Sequence, residues 1–283
     1  MKSRLITAAI ALPVIIFSIV FPAYAPNLPE ADWLFVAIAA FALAAGLFEY
    51  FSIAKKLELK ADAGVGYLAA ALLFVLFVFD APSTAPDLLL ASAAFCVILI
   101  IVTQAFRFQK DFSKMLAGIG AVLLGVFYIA FLGGFIVAMR TGFEDVPGLS
   151  TKLLGFFFLV GMGSDVGAYF IGRSVGKYKM APQISPNKTW EGFAGGLMLG
   201  AGFAALSTFW FFPELPYQIS IPLGIVMALV GVAGDLSESA MKRAAKSKDT
   251  ASILPGHGGF LDRLDSLLFN APLLYYFARS YFG

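Results

Sequence analysis

The sequence has little charge and almost no cysteine or histidine. Charged residues make up 13% of the 283 residues, whereas hydrophobic residues make up 60%. This composition is far from that of soluble domains, and the mean hydropathy of +0.85 indicates an integral membrane protein. The single cysteine, Cys96, excludes an internal disulfide. The net charge of +2 is too small to indicate a nucleic-acid partner.

Long apolar runs recur along the chain and predict an all-α, polytopic membrane protein with about nine transmembrane helices. The eight clear runs are 5–22, 33–53, 64–80, 87–106, 115–139, 153–171, 192–212 and 219–236. A ninth run, 267–282, is short. We expect residues 1–150 to form about five helices with little chemistry. Residues 151–283 then carry the remaining helices, the polar loops and the site.

Basic residues fall in alternate connections between the runs, which predicts the orientation. They are Lys2 and Arg4; Lys55, Lys56 and Lys60; Arg107, Lys110 and Lys114; Arg173, Lys177, Lys179 and Lys188; and the basic stretch after residue 239. By the positive-inside rule the N-terminus is cytoplasmic and the C-terminus lies outside. The first run also matches a cleavable signal peptide, but it is longer than a typical signal core, so we favour a first helix.

The stretch from Ser239 to Asp265 concentrates the polar chemistry of the chain. It reads SAMKRAAKSKDTASILPGHGGFLDRLD and contains five basic residues, three aspartates and the only histidine, His257. Glycines around His257 allow backbone amides to approach a ligand closely. Asp262 and Asp265, three apart, share a helix face and could hold Mg²⁺, which is usually bound by one or two carboxylates and substrate phosphates. The predicted ligand is a metal-chelated phosphate compound.

The sixth apolar run contains Asp165, a costly residue at that depth, which should face the bundle interior or a watery cavity. Asp165, Tyr169 and Arg173 are spaced four residues apart and therefore lie on one helical face. Alternatively, the nearby glycines only allow close helix packing, and Asp165 pairs with Arg173.

The connection after this run reads ISPNKTWEG from Ile184 to Gly192. Ser-Pro-Asn predicts a turn, and Lys188, Thr189 and the amides at the following helix start would form a phosphate site. By itself the segment could also be an ordinary capped helix entry.

The eighth run ends in a polar stripe. Asp235, Glu238, Ser239 and Lys242 follow one another at helical spacing. The stripe is either a solvated face on which the acids pair with Lys242, or part of a carboxylate cluster that includes Asp262 and Asp265.

These motifs resemble those of the phosphatidate cytidylyltransferases, also called CDP-diacylglycerol synthases. The resemblance covers Asp-x-x-x-Tyr at Asp165, Ser-Pro-x-Lys-Thr-x-Glu-Gly from Ser185, and a dozen fixed positions between Ser239 and Asp265. It implies transfer of CMP from CTP to phosphatidate with release of pyrophosphate. It also implies Mg²⁺, with or without K⁺, at the carboxylates. It further implies a homodimer, which the residues themselves neither support nor oppose.

The resemblance implies three groups of site residues. The metal ligands are Asp235, Asp262 and Asp265. The catalytic candidates, mainly cations that grip phosphates, are Lys188, Lys242, Arg243, Lys248, Asp249, His257 and Arg263. The substrate-binding candidates are Asp165, Tyr169, Arg173, Ser185, Asn187, Thr189, Glu191, Glu238 and Ser239. His257 either contacts the leaving pyrophosphate or only builds its turn.

Phosphatidate lies in the bilayer and CTP lies in the cytosol, so the site should be where these phases meet. We expect a bacterial inner-membrane enzyme with its site on the cytoplasmic face. One rival is a CDP-alcohol phosphotransferase, but its Asp-x-x-Asp-Gly motif is missing, since Ser266 follows Asp265. The other rival is an ion-coupled transporter that uses Asp165.

Glu49 and Tyr50, near the end of the second run, have two interpretations. They could face a polar cavity, or they could lie at the membrane interface beside Lys55.

Overall fold

The computed structural model describes residues 2–24, 32–108, 112–143, 146–246 and 259–283, and these are almost entirely helical. The helices are α1 (Lys2–Tyr24), α2 (Trp33–Lys56), α3 (Ala63–Val78), α4 (Ala81–Thr84), α5 (Pro86–Arg107), α6 (Met115–Gly125), α7 (Leu132–Thr141), α8 (Leu149–Val175), α9 (Trp190–Trp210), α10 (Tyr217–Ala244) and α11 (Leu261–Phe282). A 3₁₀ turn, Phe112–Lys114, precedes α6, and a π-helical segment, Val126–Phe131, joins α6 to α7. The strands are β1 (Lys179–Ala181) and β2 (Ser185–Thr189).

Six helical segments in the described ranges are long and apolar enough to cross a membrane. They are Trp33–Lys56, Pro86–Arg107, Phe112–Thr141, Leu149–Val175, Trp190–Trp210 and Tyr217–Ala244. These confirm the helical membrane architecture. The predicted runs 5–22, 64–80 and 267–282 overlap α1, α3 and α11, which are not among these six segments, so the count of nine spans stays a prediction.

The chain divides into two compact units, and the first comprises residues 1–150 and 244–264. Its core is aromatic. Phe77 of α3 packs edge-on against Phe131 and Phe135, with ring centroids 5.7 and 4.9 Å apart. Gly134 leaves the space that this ring fills, because a Cβ there would be 2.2 Å from the Phe77 ring. The π-helical segment therefore packs tightly against α3.

Two Arg–Asp ion pairs hold helix starts in the first unit. Asp62 accepts a hydrogen bond from Val65 N as the N-cap of α3 and pairs with Arg107, whose side chain is half exposed. Asp32, just before α2, pairs with Arg140 of α7, whose side chain is only 2% exposed. Arg140 also donates to the Ile19 carbonyl at 3.3 Å. The two pairs therefore differ mainly in burial.

The second unit comprises residues 151–243 and 265–283. It holds α8, a two-stranded antiparallel hairpin of β1 and β2, α9, most of α10 and most of α11. Helices α8 and α9 approach closely, since a Cβ on Gly192 would lie 3.0 Å from the Gly172 Cα. Small residues allow such contacts between membrane helices.

The two ion pairs predict different losses of stability. Asp32→Asn should destabilise the protein by about 3 kcal/mol, since it leaves the buried Arg140 guanidinium without its carboxylate. Arg107→Leu, the matched control, should cost under about 1 kcal/mol because its pair is exposed. Thermal unfolding of both purified variants in detergent measures this. Equal changes in Tm would contradict the assignment of Arg140 to a buried ionic contact.

Candidate active site

The structure describes most of the predicted site residues. Three of them, Lys248, Asp249 and His257, lie outside the described residues. The others lie on α8, on β2 and the start of α9, on α10, and on the first two turns of α11.

Lys188 and Asp235 form an ion pair between β2 and α10 in the second unit. Lys188 Nζ, from β2, lies 2.6 Å from Asp235 Oδ2 on α10. The side chains are 20% and 36% exposed, respectively. Ser239, one turn further along α10, donates to Asp235 Oδ1 at 3.3 Å. The structure therefore joins a predicted phosphate-gripping lysine to a predicted metal ligand.

The predicted turn at Ser185–Asn187 is wrong. These residues belong to β2, and Ile184 N donates to the Ala181 carbonyl in the turn before it. The reason is that a residue before proline favours extended backbone, here Ser185 before Pro186. The predicted helix start at Thr189 is correct: its side chain accepts a hydrogen bond from Gly192 N at 3.1 Å as the N-cap of α9.

The hairpin has two further contacts with predicted site residues. Arg243 of α10 donates from Nε to the Ile184 carbonyl at 3.0 Å. Both carboxylate oxygens of Glu191 accept from Tyr178 N at 3.3 Å. Sequence reasoning missed the Ile184 carbonyl because a backbone acceptor leaves no signal in the residue type.

On α8, Arg173 of the predicted face contacts Tyr169. Arg173 Nη1 donates to the Tyr169 hydroxyl at 2.6 Å, and its guanidinium lies 5.9 Å from the ring centroid. The glycines of this helix do allow close packing, since a Cβ on Gly167 would lie 2.6 Å from the Gly195 carbonyl oxygen. Close packing and a polar face therefore occur on the same helix.

The polar stripe of α10 is only partly solvated. Lys242 Nζ lies 2.5 Å from Glu238 Oε2, as the pairing alternative predicted, but the Glu238 side chain is fully buried. Ser239 is 7% exposed. Glu238, Ser239 and Lys242 therefore lie largely inside the protein, whereas Asp235 is partly exposed, and burial raises the cost of leaving Glu238 or Lys242 without a partner.

Asp265 lies among other carboxylates. Its pKa is raised to about 8, first by burial and then by the negative charge of Asp235; Asp165 raises it further. The charge of Lys242 and a hydrogen bond from Ser266 N, at 2.6 Å, act in the opposite direction. Asp165 and Asp235 therefore place negative charge near Asp265 in the second unit.

Asp262 lies in the first turn of α11, where its Oδ2 accepts a hydrogen bond from Gly259 N at 2.8 Å. Arg263 follows it in the same turn. Within the ranges that the structure describes, no group of three His, Cys, Asp or Glu side chains is arranged to hold a metal ion. The three-carboxylate metal set therefore stays a prediction.

A sequence model of the cytidylyltransferase family matches residues 2–281. The chain belongs to the cytidylyltransferase family. The match confirms the resemblance, and it extends beyond the motifs into the N-terminal helices.

Three curated relatives carry the same name. The phosphatidate cytidylyltransferase of Bacillus subtilis (strain 168) is 33% identical over 282 residues, covering 98% of this chain and 97% of the relative. That of Synechocystis sp. is 32% identical over 270 residues, covering 87% and 88%. That of Staphylococcus saprophyticus is 35% identical over 206 residues, covering 73% and 75%. These matches support neither the CDP-alcohol phosphotransferase nor the transporter interpretation.

The contact between α10 and α11 next to the site predicts a sensitive glycine. A Cβ on Gly234 would lie 2.4 Å from the Asp265 carbonyl oxygen, so Gly234→Ala should separate the two helices. We expect a loss of about 1 to 3 kcal/mol, typical of overpacking.

Gly202→Ala on α9 is the matched control, because a Cβ there would meet nothing within 4 Å. It should be neutral or slightly stabilising, since alanine favours helix. Thermal unfolding of the two variants tests the contact. A Gly234→Ala variant as stable as wild type would show that α10 and α11 do not approach this closely.

Proposed function

We propose that this protein transfers CMP from CTP to phosphatidate, giving CDP-diacylglycerol and pyrophosphate. The observation that carries the proposal is the family match over nearly the whole chain. The relatives' shared name supports the same reaction, since the chain covers almost the full length of the Bacillus subtilis enzyme. In a membrane protein, this reaction joins a lipid of the bilayer to a soluble nucleotide.

The reaction requires alignment of the two substrates more than activation of the nucleophile. A phosphatidate phosphate oxygen attacks the α-phosphorus of CTP and forms the new P–O bond. The bond from the α-phosphorus to the oxygen that bridges it to the β-phosphorus breaks, and pyrophosphate leaves with that electron pair. The nucleophile is already an anion, so no strong general base is required. The protein must neutralise charge and align the reacting groups.

The cations of the second unit supply this neutralisation. Lys188 and Lys242 are held by Asp235 and Glu238, which keeps both ammonium groups in fixed positions. Arg243 is fixed against the Ile184 carbonyl. Phosphates of CTP and phosphatidate would exchange with or add to these contacts. Lys248, Asp249, His257 and Arg263 complete the catalytic set as predictions.

Mg²⁺ fits the donor chemistry of this region. Mg²⁺ usually needs only one or two protein carboxylates, because waters and substrate phosphates complete its shell. Asp235 and Asp265, which are close enough for the charge of Asp235 to raise the pKa of Asp265, would hold it, and Asp262 remains a third candidate. When bound, the ion would offset negative charge on the CTP phosphates. K⁺ as a second ion remains a prediction.

The remaining polar residues are assigned to substrate binding. They are Asp165, Tyr169, Arg173, Ser185, Asn187, Thr189, Glu191, Glu238 and Ser239. Thr189 and Glu191 act through the backbone at the hairpin and helix start, whereas Tyr169 supports Arg173. A homodimer remains a prediction.

The proposed reaction predicts pyrophosphate release that requires both substrates. Purified protein with phosphatidate and Mg²⁺ should release pyrophosphate from CTP in preference to ATP, GTP and UTP, and EDTA should abolish it. Asp265→Asn and Asp262→Asn should each lower the rate at least a hundredfold. Lys188→Met should lower it at least tenfold, because it removes a phosphate-gripping charge.

Lys152→Met is the matched control for Lys188→Met. Lys152 also forms an ion pair in the second unit, 2.5 Å from Glu214, but has no assigned role. It should leave the rate within about twofold of wild type. Folded protein that releases no pyrophosphate from any nucleotide would refute the proposed function. Near-normal activity of Asp262→Asn would remove that residue from the metal set.

We also propose that the hairpin lies on the cytoplasmic face, as the alternation of basic residues predicts. A cysteine at Tyr178, which is 71% exposed, should react with a membrane-impermeant thiol reagent only after cells are opened. A cysteine at Val146, in the connection between α7 and α8, should react in intact spheroplasts. Both use a Cys96→Ser background, since Cys96 is the only native thiol. The reverse pattern would refute this orientation.

A further inference from the structure

Glu49, on α2 of the first unit, is fully buried and binds backbone amides far away in the sequence. Its Oε1 accepts from Phe260 N and its Oε2 from Leu261 N, both at 2.9 Å. Leu261 is the first residue of α11. Phe260, Leu261 and Glu49 all belong to the first unit. A carboxylate of α2 therefore holds the start of α11 with both of its oxygens.

The contact satisfies the needs of both partners. The first N–H groups of a helix have no partner within it, and the helix dipole favours a negative charge there. A buried carboxylate in turn needs hydrogen bonds, and those to a charged acceptor are strong. Asp262 accepts from Gly259 N, so two carboxylates bind three successive amides. The start of α11 is thus held by hydrogen bonds from its amides to two carboxylates.

Further contacts along α2 support the same arrangement. The Phe41 and Phe260 rings pack edge to face, with centroids 5.3 Å apart. Gly46 leaves room for Leu264, whose Cδ1 would lie 3.4 Å from a Cβ at that position. Phe41 therefore packs against Phe260, Gly46 lies beside Leu264, and Glu49 binds the amides of Phe260 and Leu261. These positions cover about two turns of α2.

The segment that Glu49 holds has a place in the reaction. It carries Asp262 and Arg263, a proposed metal ligand and a proposed phosphate-binding cation. We infer that Glu49 is a positioning residue for CMP transfer: its carboxylate fixes the start of α11 so that these two side chains meet the substrates in register. This inference rests on the proposed function. It gives the N-terminal helices a part in catalysis without contact to substrate.

The test uses Glu49→Gln in the full-length protein. Glutamine keeps the shape but loses the charge and one of the two acceptor oxygens. We expect kcat to fall about ten- to a hundredfold, because small misplacements of reacting groups have effects of that size, with KM for CTP within about threefold. Hydrogen exchange measured by mass spectrometry should rise in peptides covering residues 259–264 and remain unchanged in peptides from α8 and α9.

Tyr50→Phe is the matched control on the same helix. It removes a buried hydrogen bond, from the Tyr50 hydroxyl to the Ala121 carbonyl at 2.8 Å, without touching α11. It should leave kcat within about twofold and exchange at residues 259–264 unchanged, even if its Tm falls as much as that of Glu49→Gln.

Either of two results would overturn the inference. One is wild-type exchange at residues 259–264 in Glu49→Gln. The other is an equal loss of kcat in both variants, with exchange raised throughout the protein, which would make Glu49 only structural. A wild-type protein without CTP-dependent pyrophosphate release would instead refute the proposed function, and the exchange experiment would still report whether Glu49 anchors α11.

Discussion

The structure depends on the high cost of a charge without a partner in an apolar protein. The buried ionic groups of the described helices are held in pairs or by backbone amides. Glu238 pairs with Lys242, Arg140 pairs with Asp32, and Glu49 binds two amides. These contacts do more than stabilise. Because each of these charges has a fixed partner, Lys242, a proposed phosphate-binding cation, is already oriented before a substrate binds.

Close backbone approach provides the second condition for the site. Glycines let α8 approach α9, and they let α10 approach α11 at Asp265. A larger residue at Gly234 would push the Asp265 backbone away from α10, which carries Asp235. The carboxylates of these two helices can therefore influence each other only because the helices are so close. In the second unit, glycines therefore set the distance between helices, and the ion pairs set the orientation of the charged side chains.

Much of the architecture could be predicted because it depends on local properties. Apolar runs predicted the helices, and the spacing of Asp235, Glu238 and Lys242 predicted their common face on α10. The hairpin could not be predicted in the same way. Strand β2 is five residues long, and its conformation depends on pairing with β1 as much as on its own residues. The burial of Glu238 on the α10 stripe could not be predicted for a similar reason, since it depends on neighbouring elements.

The sequence by itself determined the class of protein, the positions of most helices and the set of residue types from which the site is built. Hydropathy, helical spacing and motif order are properties of the chain, so they need no knowledge of packing. Only the tertiary structure decided which partner each charge has. Lys188 meets Asp235, and Glu49 meets amides 211 and 212 residues away. Such pairings follow from how helices pack, and no local pattern in the sequence encodes them.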